Sequence, residues 1–364
     1  MCMSTFLTRF LRTSFAPPSY LTLPTAGIDL STSGLKAVTL KERAGGLELG
    51  TFADVRLPAG VVVEGEVVDR EAAVKALKEL RHLYGIRTAN IALSESKAYL
   101  FETKVEGDNH DDWCTALEQR VDEFVPLAPS DVSFDLVGVG TEGGQTAVAG
   151  VGYARRLVEG TVSLFDEAGI RVRAIESETF SAPRALLPHG DQGTALIIDL
   201  GRTTTKLTIV VRRIPRFATT LDIGGHALTL AVQKYFGVTE EEAKRVKSER
   251  GIVPSAGNEE YIAAMLLTVS VIREEIIRRT EYWQTHQAPG AEEGKITRAI
   301  LVGGNASVRG LPEYLEASLK VPVEFGDVFT NFVSRDVWLP PMDYRQSLAY
   351  TTAIGLALRE YAPS

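Results

Sequence analysis

Two short segments combine an aspartate, a run of small hydroxyl residues and a lysine, and this combination could bind phosphate. They are residues 28–36 (IDLSTSGLK) and residues 198–206 (IDLGRTTTK). A phosphate chain needs backbone N–H groups and hydroxyls close to its oxygens, and tight turns of Gly, Ser and Thr supply both with little side-chain bulk. An aspartate at the start of such a turn can hold hydrated Mg²⁺ near the phosphates. We therefore interpret Asp29 and Asp199 as metal-facing residues.

The two segments form an internal repeat. Ile, Asp, Leu and Lys stand at identical offsets in both, and the copies lie 170 residues apart. Each copy joins two apolar runs, a pattern typical of a strand, a tight polar turn and a second strand. A single turn of this kind is usually an ordinary hairpin, but two copies at matched spacing favour a functional pair. The distance between them indicates two related half-domains rather than a solenoid.

Two glycine pairs could complete a ligand site. Gly303, Gly304 and Asn305 follow an apolar run, and paired glycines there would let a flat ring approach the backbone. Gly224 and Gly225 precede a predicted helix and could line phosphates from the second half. Either pair alone is a weak signal, because Gly-Gly often marks only the end of a strand.

The elements that must position these residues alternate between helix and strand, which is typical of an α/β architecture. Apolar spacing predicts helices at 70–83, 111–125, 156–168, 227–235, 261–283 and 346–359. It predicts strands at 89–93, 99–105, 132–139, 146–153, 171–175 and 299–302. Small residues in the last helix, at Ala349, Ala353 and Gly355, would permit close packing.

Composition excludes several classes of protein. The formal net charge of −8 and the pI near 5.4 argue against a dedicated nucleic-acid binder. Cys2 and Cys114 form no CxxC motif, which excludes a zinc ribbon or thioredoxin-type site and fits a reducing cytoplasm. The GxGxxG letters at 138–143 precede a strand rather than a helix, so they are not a dinucleotide fingerprint. The histidines show no ligand spacing: His82, His110, His189, His226 and His286.

No stretch approaches 18 apolar residues, so no membrane-spanning helix is predicted. Residues 1–24 carry Arg9 and Arg12 but no acid, and we predict a flexible tail. An alternative is a short amphipathic segment that touches an anionic membrane surface.

The order of the Asp29 turn, the Asp199 turn, Gly224-Gly225 and Gly303-Gly304 resembles the actin/Hsp70/sugar-kinase superfamily, in which these are the phosphate-1, phosphate-2 and adenosine motifs. Within it, the chain is most similar to the PilM family of type IV pilus assembly proteins, which is related to FtsA. The resemblance covers roughly residues 24–362 and is carried by the stretches 27–30, 198–207, 274–279 and 353–358.

This resemblance implies an α/β, actin-like (ribonuclease H-like) two-domain fold with a small inserted α+β subdomain. The implied divisions are a flexible tail (1–24), a first domain (25–96, 173–192 and 340–364), an inserted partner-binding subdomain (97–172) and a second domain (193–339).

The resemblance also implies ATP with Mg²⁺ in the cleft, setting domain closure, and at most slow ATP hydrolysis.

Ser31 stands where the family usually has glycine. Lys244 and Lys247 stand where it often has Glu and Lys, which makes Lys247 the candidate ribose contact. Glu178 is the candidate water-orienting acid, with a surface or helix-capping role as the alternative. The implied nucleotide-binding residues are Asp29, Ser31, Thr32, Ser33, Lys36, Gly201, Arg202, Thr203, Thr204, Gly224, Gly225, Lys247, Gly303, Gly304 and Asn305, with Asp29 and Asp199 facing the metal.

The implied partners are the N-terminal peptide of a PilN-like membrane protein and other pilus assembly components, with no nucleic acid. The implied location is the cytoplasmic face of the inner membrane, reached through that partner. Three alternatives stay open: an FtsA-like filament-forming scaffold, a metabolite kinase of the same superfold, and a scaffold that has lost nucleotide. The kinase would need a catalytic Asp and a polar sugar pocket, and the sequence shows no such cluster.

Overall fold

The structure, a computed structural model, describes residues 25–43, 45–286 and 294–361. The predicted tail at 1–24 lies outside these residues. Within them, no helix combines the length and the apolar character that crossing a membrane requires.

Strands and helices alternate along the chain. In chain order the strands are β1 (Ala26–Ser31), β2 (Gly34–Arg43), β3 (Gly46–Arg56), β4 (Val62–Val63), β5 (Glu66–Val67), β6 (Thr88–Leu93), β7 (Tyr99–Val105), β8 (Val132–Glu142), β9 (Gln145–Ala154), β10 (Arg171–Ser177), β11 (Thr194–Leu200), β12 (Thr205–Val211), β13 (Ile214–Leu221), β14 (Arg298–Val302) and β15 (Val323–Phe325). The α-helices are α1 (Arg70–Tyr84), α2 (His110–Glu118), α3 (Arg155–Glu167), α4 (Glu178–Leu186), α5 (Gly225–Phe236), α6 (Glu240–Arg250), α7 (Glu259–Thr285), α8 (Leu311–Leu319), α9 (Tyr344–Ser347) and α10 (Thr351–Leu358).

Two five-stranded sheets repeat one topology, as the sequence repeat predicts. The first has the order β3-β2-β1-β6-β10 and the second the order β13-β12-β11-β14-β15. In each sheet the first three strands of the half are antiparallel, and the two later ones run parallel to the first. Both predicted turns join the first two strands of their sheet. The pairing sets Asp29 opposite Lys36 and Asp199 opposite Lys206.

A third sheet, with the order β7-β9-β8, lies within the predicted insert. Helix α2 packs on it through Leu117 and Trp113, which join Leu136 in an apolar cluster. The letters at 138–143 fall on β8 and its turn to β9, so they open no helix. The insert is tied to the second sheet by an ion pair between Glu102 on β7 and Arg216 on β13.

Two predicted helices are shorter than their apolar periodicity indicates. The helix predicted at 111–125 ends at Glu118, because Val121 and Val125 pack into a separate apolar cluster after the chain turns. The helix predicted at 346–359 is interrupted by a 3₁₀ turn at Leu348–Tyr350. There the Leu348 carbonyl accepts a hydrogen bond of 3.0 Å from the Gly303 N–H. Helix propensity cannot predict such a contact, because it joins residues far apart in the sequence.

Helix α10 approaches its neighbours at backbone distance, as its small residues predict. A β-carbon placed on Gly355 would stand 1.9 Å from the carbonyl oxygen of Ser181 in α4. One placed on Gly27 of β1 would stand 2.0 Å from the carbonyl oxygen of Ala353. Only glycine fits at either position. This close packing holds in place β1, the strand that carries Asp29.

We predict that Gly355→Ala lowers the free energy of unfolding by at least ~2 kcal/mol, because the added methyl group forces α10 away from α4. Chemical denaturation followed by circular dichroism measures the change. Gly160→Ala is the matched control: Gly160 also lies inside a helix, but nothing stands within 4 Å of its would-be β-carbon. The control should gain about 0.5–1 kcal/mol from helix propensity. Equal effects of the two substitutions would contradict the packing argument.

Candidate functional site

A cleft of about 690 Å³ lies between the two five-stranded sheets, and both aspartate turns open into it. Asp29, Ser31 and Ser33 enter from the first half, and Asp199 enters from the second. The repeated hairpins therefore converge on a shared space, as the sequence predicts. The size lies within the usual range for small-molecule sites.

The first turn is a tight connection in which the side chains bond to one another. The Ser31 hydroxyl lies 3.0 Å from the Ser33 hydroxyl and donates to the Gly34 carbonyl at 3.3 Å. Lys36 Nζ donates to the Ser33 hydroxyl at 3.2 Å. Ser31 thus directs its hydroxyl partly into its own hairpin, although the residue still lines the cleft.

The second turn and the two glycine pairs form one hydrogen-bonded unit. The Gly201 N–H donates to the Thr204 carbonyl at 3.0 Å and closes the turn. The Gly201 carbonyl accepts from the Gly225 N–H and from the Asn305 side-chain amide, both at 3.0 Å. A β-carbon on Gly224 would stand 2.7 Å from the Thr204 nitrogen, so the turn packs directly on glycine. The segments chosen separately from the sequence are therefore adjacent in space.

Gly303 is required by the Asp199 carboxylate. Its φ is +97°, a conformation that favours glycine, and a β-carbon there would stand 2.2 Å from Asp199 Oδ1. The sequence suggests that this glycine admits a flat ring, and the structure adds a second reason for it: the aspartate itself occupies the space.

Lys247 lies buried beneath the second half of the site. Its Nζ donates to Gly225 O at 3.0 Å, to Thr229 Oγ1 at 3.0 Å and to Asn305 Oδ1 at 2.8 Å. Burial, together with the nearby Lys244, lowers its pKa to about 8. All three ammonium protons are thus engaged inside the protein, and the ribose contact of Lys247 stays a prediction. Lys244, half-exposed on the same helix, reaches the cleft while pairing with Glu240 at 2.7 Å.

Buried charges of both signs meet at the base of the cleft. Burial raises the pKa of Asp29 to about 6, although Lys36 and Lys206 act to lower it. Burial also raises the pKa of Asp199. Burial alone would lower the pKa of Lys206, but the carboxylates of Glu178, Asp199 and Asp29 raise it above its usual value. A cation placed here would favour the ionised form of each aspartate.

Glu178 has both carboxylate oxygens engaged. Oε2 accepts from Lys206 Nζ at 2.6 Å, and Oε1 accepts from the Glu95 N–H at 2.6 Å. The residue is 9% exposed and begins α4, so it lies at the base of the cleft rather than on the surface. Its water-orienting role stays a prediction.

The lining is more basic than the chain as a whole. Among the described residues, seven lysines and arginines line the cleft against four acids. The basic ones are Lys36, Arg56, Arg202, Lys206, Lys244, Lys247 and Arg345, and the acidic ones are Asp29, Asp54, Asp199 and Glu241. This local excess of positive charge stands in a protein whose formal net charge is −8.

Most predicted site residues line the cleft: Asp29, Ser31, Ser33, Lys36, Asp199, Arg202, Lys247, Gly303, Gly304 and Asn305. Six others belong to the turns and glycine pair beside the lining: Thr32, Gly201, Thr203, Thr204, Gly224 and Gly225. Glu178 does not line the cleft itself and is connected to it through Lys206. Sequence reasoning missed Asp54, Arg56 and Arg345. Asp54 lies opposite Lys36 on the neighbouring strands β2 and β3. Extending the predicted hairpin by a third antiparallel strand could have placed it beside the site.

A second, largely apolar groove of about 350 Å³ runs between the insert and the first half. Strand β8 forms one wall, and this strand lies at the edge of its sheet. Ile175 and Phe180 contribute to the opposite side. At the polar end, Arg184 and Arg359 both donate to Glu176.

The chain is similar to known proteins in sequence and in fold. A family model described as "Type IV pilus assembly protein PilM" matches residues 27–361. A chain of the solved PilM-PilN type IV pilus biogenesis complex is 22% identical, with a TM-score of 0.74, and the match covers 94% of this chain and 99% of that one.

Two further solved structures are similar in fold. MreB5 of Spiroplasma citri bound to ADP is 15% identical with a TM-score of 0.57, covering 93% of this chain and 97% of that one. The ethanolamine utilization protein EutJ from Carboxydothermus hydrogenoformans is 17% identical with a TM-score of 0.51, covering 97% and 96%. These similarities confirm the predicted actin-like α/β fold. Because the family model spans nearly all of the described residues, the chain belongs to the family of the type IV pilus assembly protein PilM.

Proposed function

We propose that the chain is an ATP-binding platform for type IV pilus or related secretion assembly, in which MgATP holds the two halves together. The observation that carries the proposal is the convergence of the two aspartate turns on one cleft with an excess of positive charge. Membership of the PilM family supports the assembly role. The fold similarity to an MreB5 structure containing ADP supports a nucleotide as the ligand.

The charges in the cleft have the distribution that a magnesium–phosphate complex needs. At the base, the carboxylates of Asp29, Asp199 and Glu178 interact with two lysines, Lys36 and Lys206. Carboxylate oxygens are ligands that Mg²⁺ accepts, so Asp29 and Asp199 would hold the ion, directly or through its water shell. The ion would neutralise phosphate charge.

Basic side chains of the lining would bind the phosphate oxygens. The ammonium of Lys244 and the guanidinium of Arg202 both reach the cleft from the second half. Arg56 reaches it from the first. Phosphates held by both halves would thus bridge them, whereas a ligand bound by one half alone would not.

Nucleotide binding would act on contacts that already cross from half to half. Glu178 follows a strand of the first sheet and pairs with Lys206 of the second. Glu95, which follows β6, accepts a hydrogen bond from Thr220 of β13. A ligand shifts such an equilibrium only by its differential affinity for the closed arrangement. Two aspartates from different halves provide that difference, because both reach one ion only when the halves are close.

We further propose that the apolar groove beside β8 binds the N-terminal peptide of a PilN-like membrane protein. An edge strand offers free backbone groups to an added strand, and apolar walls select alternate side chains. The PilM chain in the solved PilM-PilN complex shares the fold of this protein, which supports such a partner. Through that partner the protein would work at the cytoplasmic face of the inner membrane.

Removing the second-half carboxylate tests nucleotide binding. Isothermal titration of the purified full chain with ATP and Mg²⁺ should give saturable binding, and Asp199→Ala should weaken it at least ~10-fold, the scale of one lost charged contact. Asp222→Ala is the control, since Asp222 is an exposed aspartate of the same half. Absence of heat and of thermal stabilisation with the wild type would remove the nucleotide proposal.

The raised pKa of Asp29, about 6, predicts a pH dependence for MgATP binding. Above pH 6 the carboxylate is ionised and can face Mg²⁺, whereas below pH 6 protonation competes with the ion. Between pH 7 and pH 5 the wild type should therefore lose roughly tenfold more affinity than Asp29→Asn. Comparing the two proteins cancels the protonation of ATP itself. Parallel affinity–pH curves would contradict this role of Asp29.

Charge placed in the groove tests peptide binding. Val137 of β8 lines the groove, and Val137→Glu should weaken binding of a fluorescent PilN-type N-terminal peptide by ~10-fold or more, because it buries a carboxylate against apolar walls. Thr141→Glu adds the same charge at an exposed position of the same strand and should leave the affinity unchanged. Equal affinities of the two variants would exclude the groove, while MgATP binding in both would show that the fold is intact.

A further inference from the structure

Three side chains of the insert bring a nitrogen, a sulfur and an oxygen ligand together. None of the three lines the cleft between the two five-stranded sheets. His110 Nε2 lies 2.7 Å from Asp135 Oδ1, and Cys114 Sγ lies 3.8 Å from both ring nitrogens of His110. The potential ligand atoms all lie within 4.8 Å of one another. The histidines show no ligand spacing among themselves, and the prediction from sequence did not consider the cysteine four residues after His110.

Local structure explains why these three groups meet. The Asn109 side chain caps α2 by accepting from the backbone N–H groups of Asp111 and Asp112. His110 and Cys114 then stand one helical turn apart on the same face. Helix α2 packs on β8, the strand that carries Asp135. Asp135 Oδ1 also accepts from the Leu136 N–H at 2.9 Å, which orients the carboxylate.

The spacing fits the dimensions of a tetrahedral metal site. Zn–S and Zn–N bonds of about 2.3 and 2.0 Å at a tetrahedral angle separate sulfur from nitrogen by roughly 3.5 Å. The observed distance between Cys114 Sγ and His110 Nε2 is 3.8 Å. The Asp135 oxygen sits closer to the imidazole than two ligands of one ion would, and the side chain of Asp135 is 68% exposed, so it is free to move outward.

The surroundings favour a cation. Asp111 Oδ1 lies 3.8 Å from His110 Nδ1, beyond hydrogen-bond distance, and adds negative charge beside the ring.

We propose that His110, Cys114 and Asp135 form a binding site for a divalent transition-metal ion of the zinc class, which joins α2 to the edge strand β8. Three protein ligands leave one coordination position for water or for a group from a partner. Because Asp135 also lines the apolar groove, the ion would stand beside the proposed peptide site, although the metal site does not depend on that function.

Titration of the reduced full chain with Co²⁺ in chelator-free buffer tests the site. One equivalent should give a thiolate-to-cobalt charge-transfer band in the near ultraviolet, and Zn²⁺ should displace it. Cys114→Ser should abolish the band, whereas Cys2→Ser, which removes the other cysteine of the chain, should retain it. A wild type without the band, or a band that survives Cys114→Ser, would overturn the proposal.

Two further variants separate ligation from folding. His110→Gln and Asp135→Asn change half-exposed and exposed side chains, so they should leave the thermal melt in EDTA unchanged. Each should weaken Zn²⁺ binding at least ~10-fold by competition titration. His286→Gln, a histidine of the other half that stacks on Tyr282, is the control and should bind Zn²⁺ as the wild type does. Wild-type affinity in both ligand variants would contradict the assignment.

Discussion

The structure depends on an imbalance of buried charge between its two halves. Three carboxylates, those of Asp29, Asp199 and Glu178, interact with two lysines at the base of the cleft. Buried ions are costly unless they are neutralised. The buried Glu95 also lies in the field of Glu178 and Lys206, so the carboxylates of this cluster outnumber its lysines. Burial is the main cause of the raised pKa of Asp29, and the carboxylates of Glu178 and Asp199 add to it. This arrangement is consistent with the proposed binding of MgATP, because a cation would offset the excess of carboxylate and the basic residues of the lining would face the accompanying anion.

Much of the fold was predictable because its signals are local. A hairpin with an aspartate before the turn and a lysine after it has the same register wherever it occurs, so two copies predict two similar sheets. The positions of Asp29 and Lys36 across one hairpin, and of Asp199 and Lys206 across the other, follow directly. The glycine pairs carry a comparable local signal, although the sequence does not reveal that Gly303 makes room for Asp199.

The features that the sequence did not reveal are tertiary. Apolar periodicity continues through Leu348, but the helix is interrupted there by a 3₁₀ turn, where the Leu348 carbonyl accepts a hydrogen bond from the Gly303 N–H. The cleft residue Arg56 is placed by pairing between β2 and β3, and Arg345 lies in a segment more than 280 residues later in the chain. The inward direction of Lys247 depends on Thr229 and Asn305, which come from two other segments. The spacing of residues along the chain does not predict contacts between such distant segments.

The hydrogen bond between Gly303 and Leu348 also has a mechanical consequence. Leu348 precedes α10, whose glycine contacts hold it against β1 and α4, while Gly303 follows strand β14 of the second sheet. This backbone hydrogen bond therefore joins the two halves, as the Glu178–Lys206 ion pair also does. Swinging the lobes apart either pivots about this contact or breaks it. An opening that keeps this contact gives small displacements near Leu348 and larger ones at the far rim and is therefore wedge-shaped, whereas a uniform separation of the halves breaks the hydrogen bond.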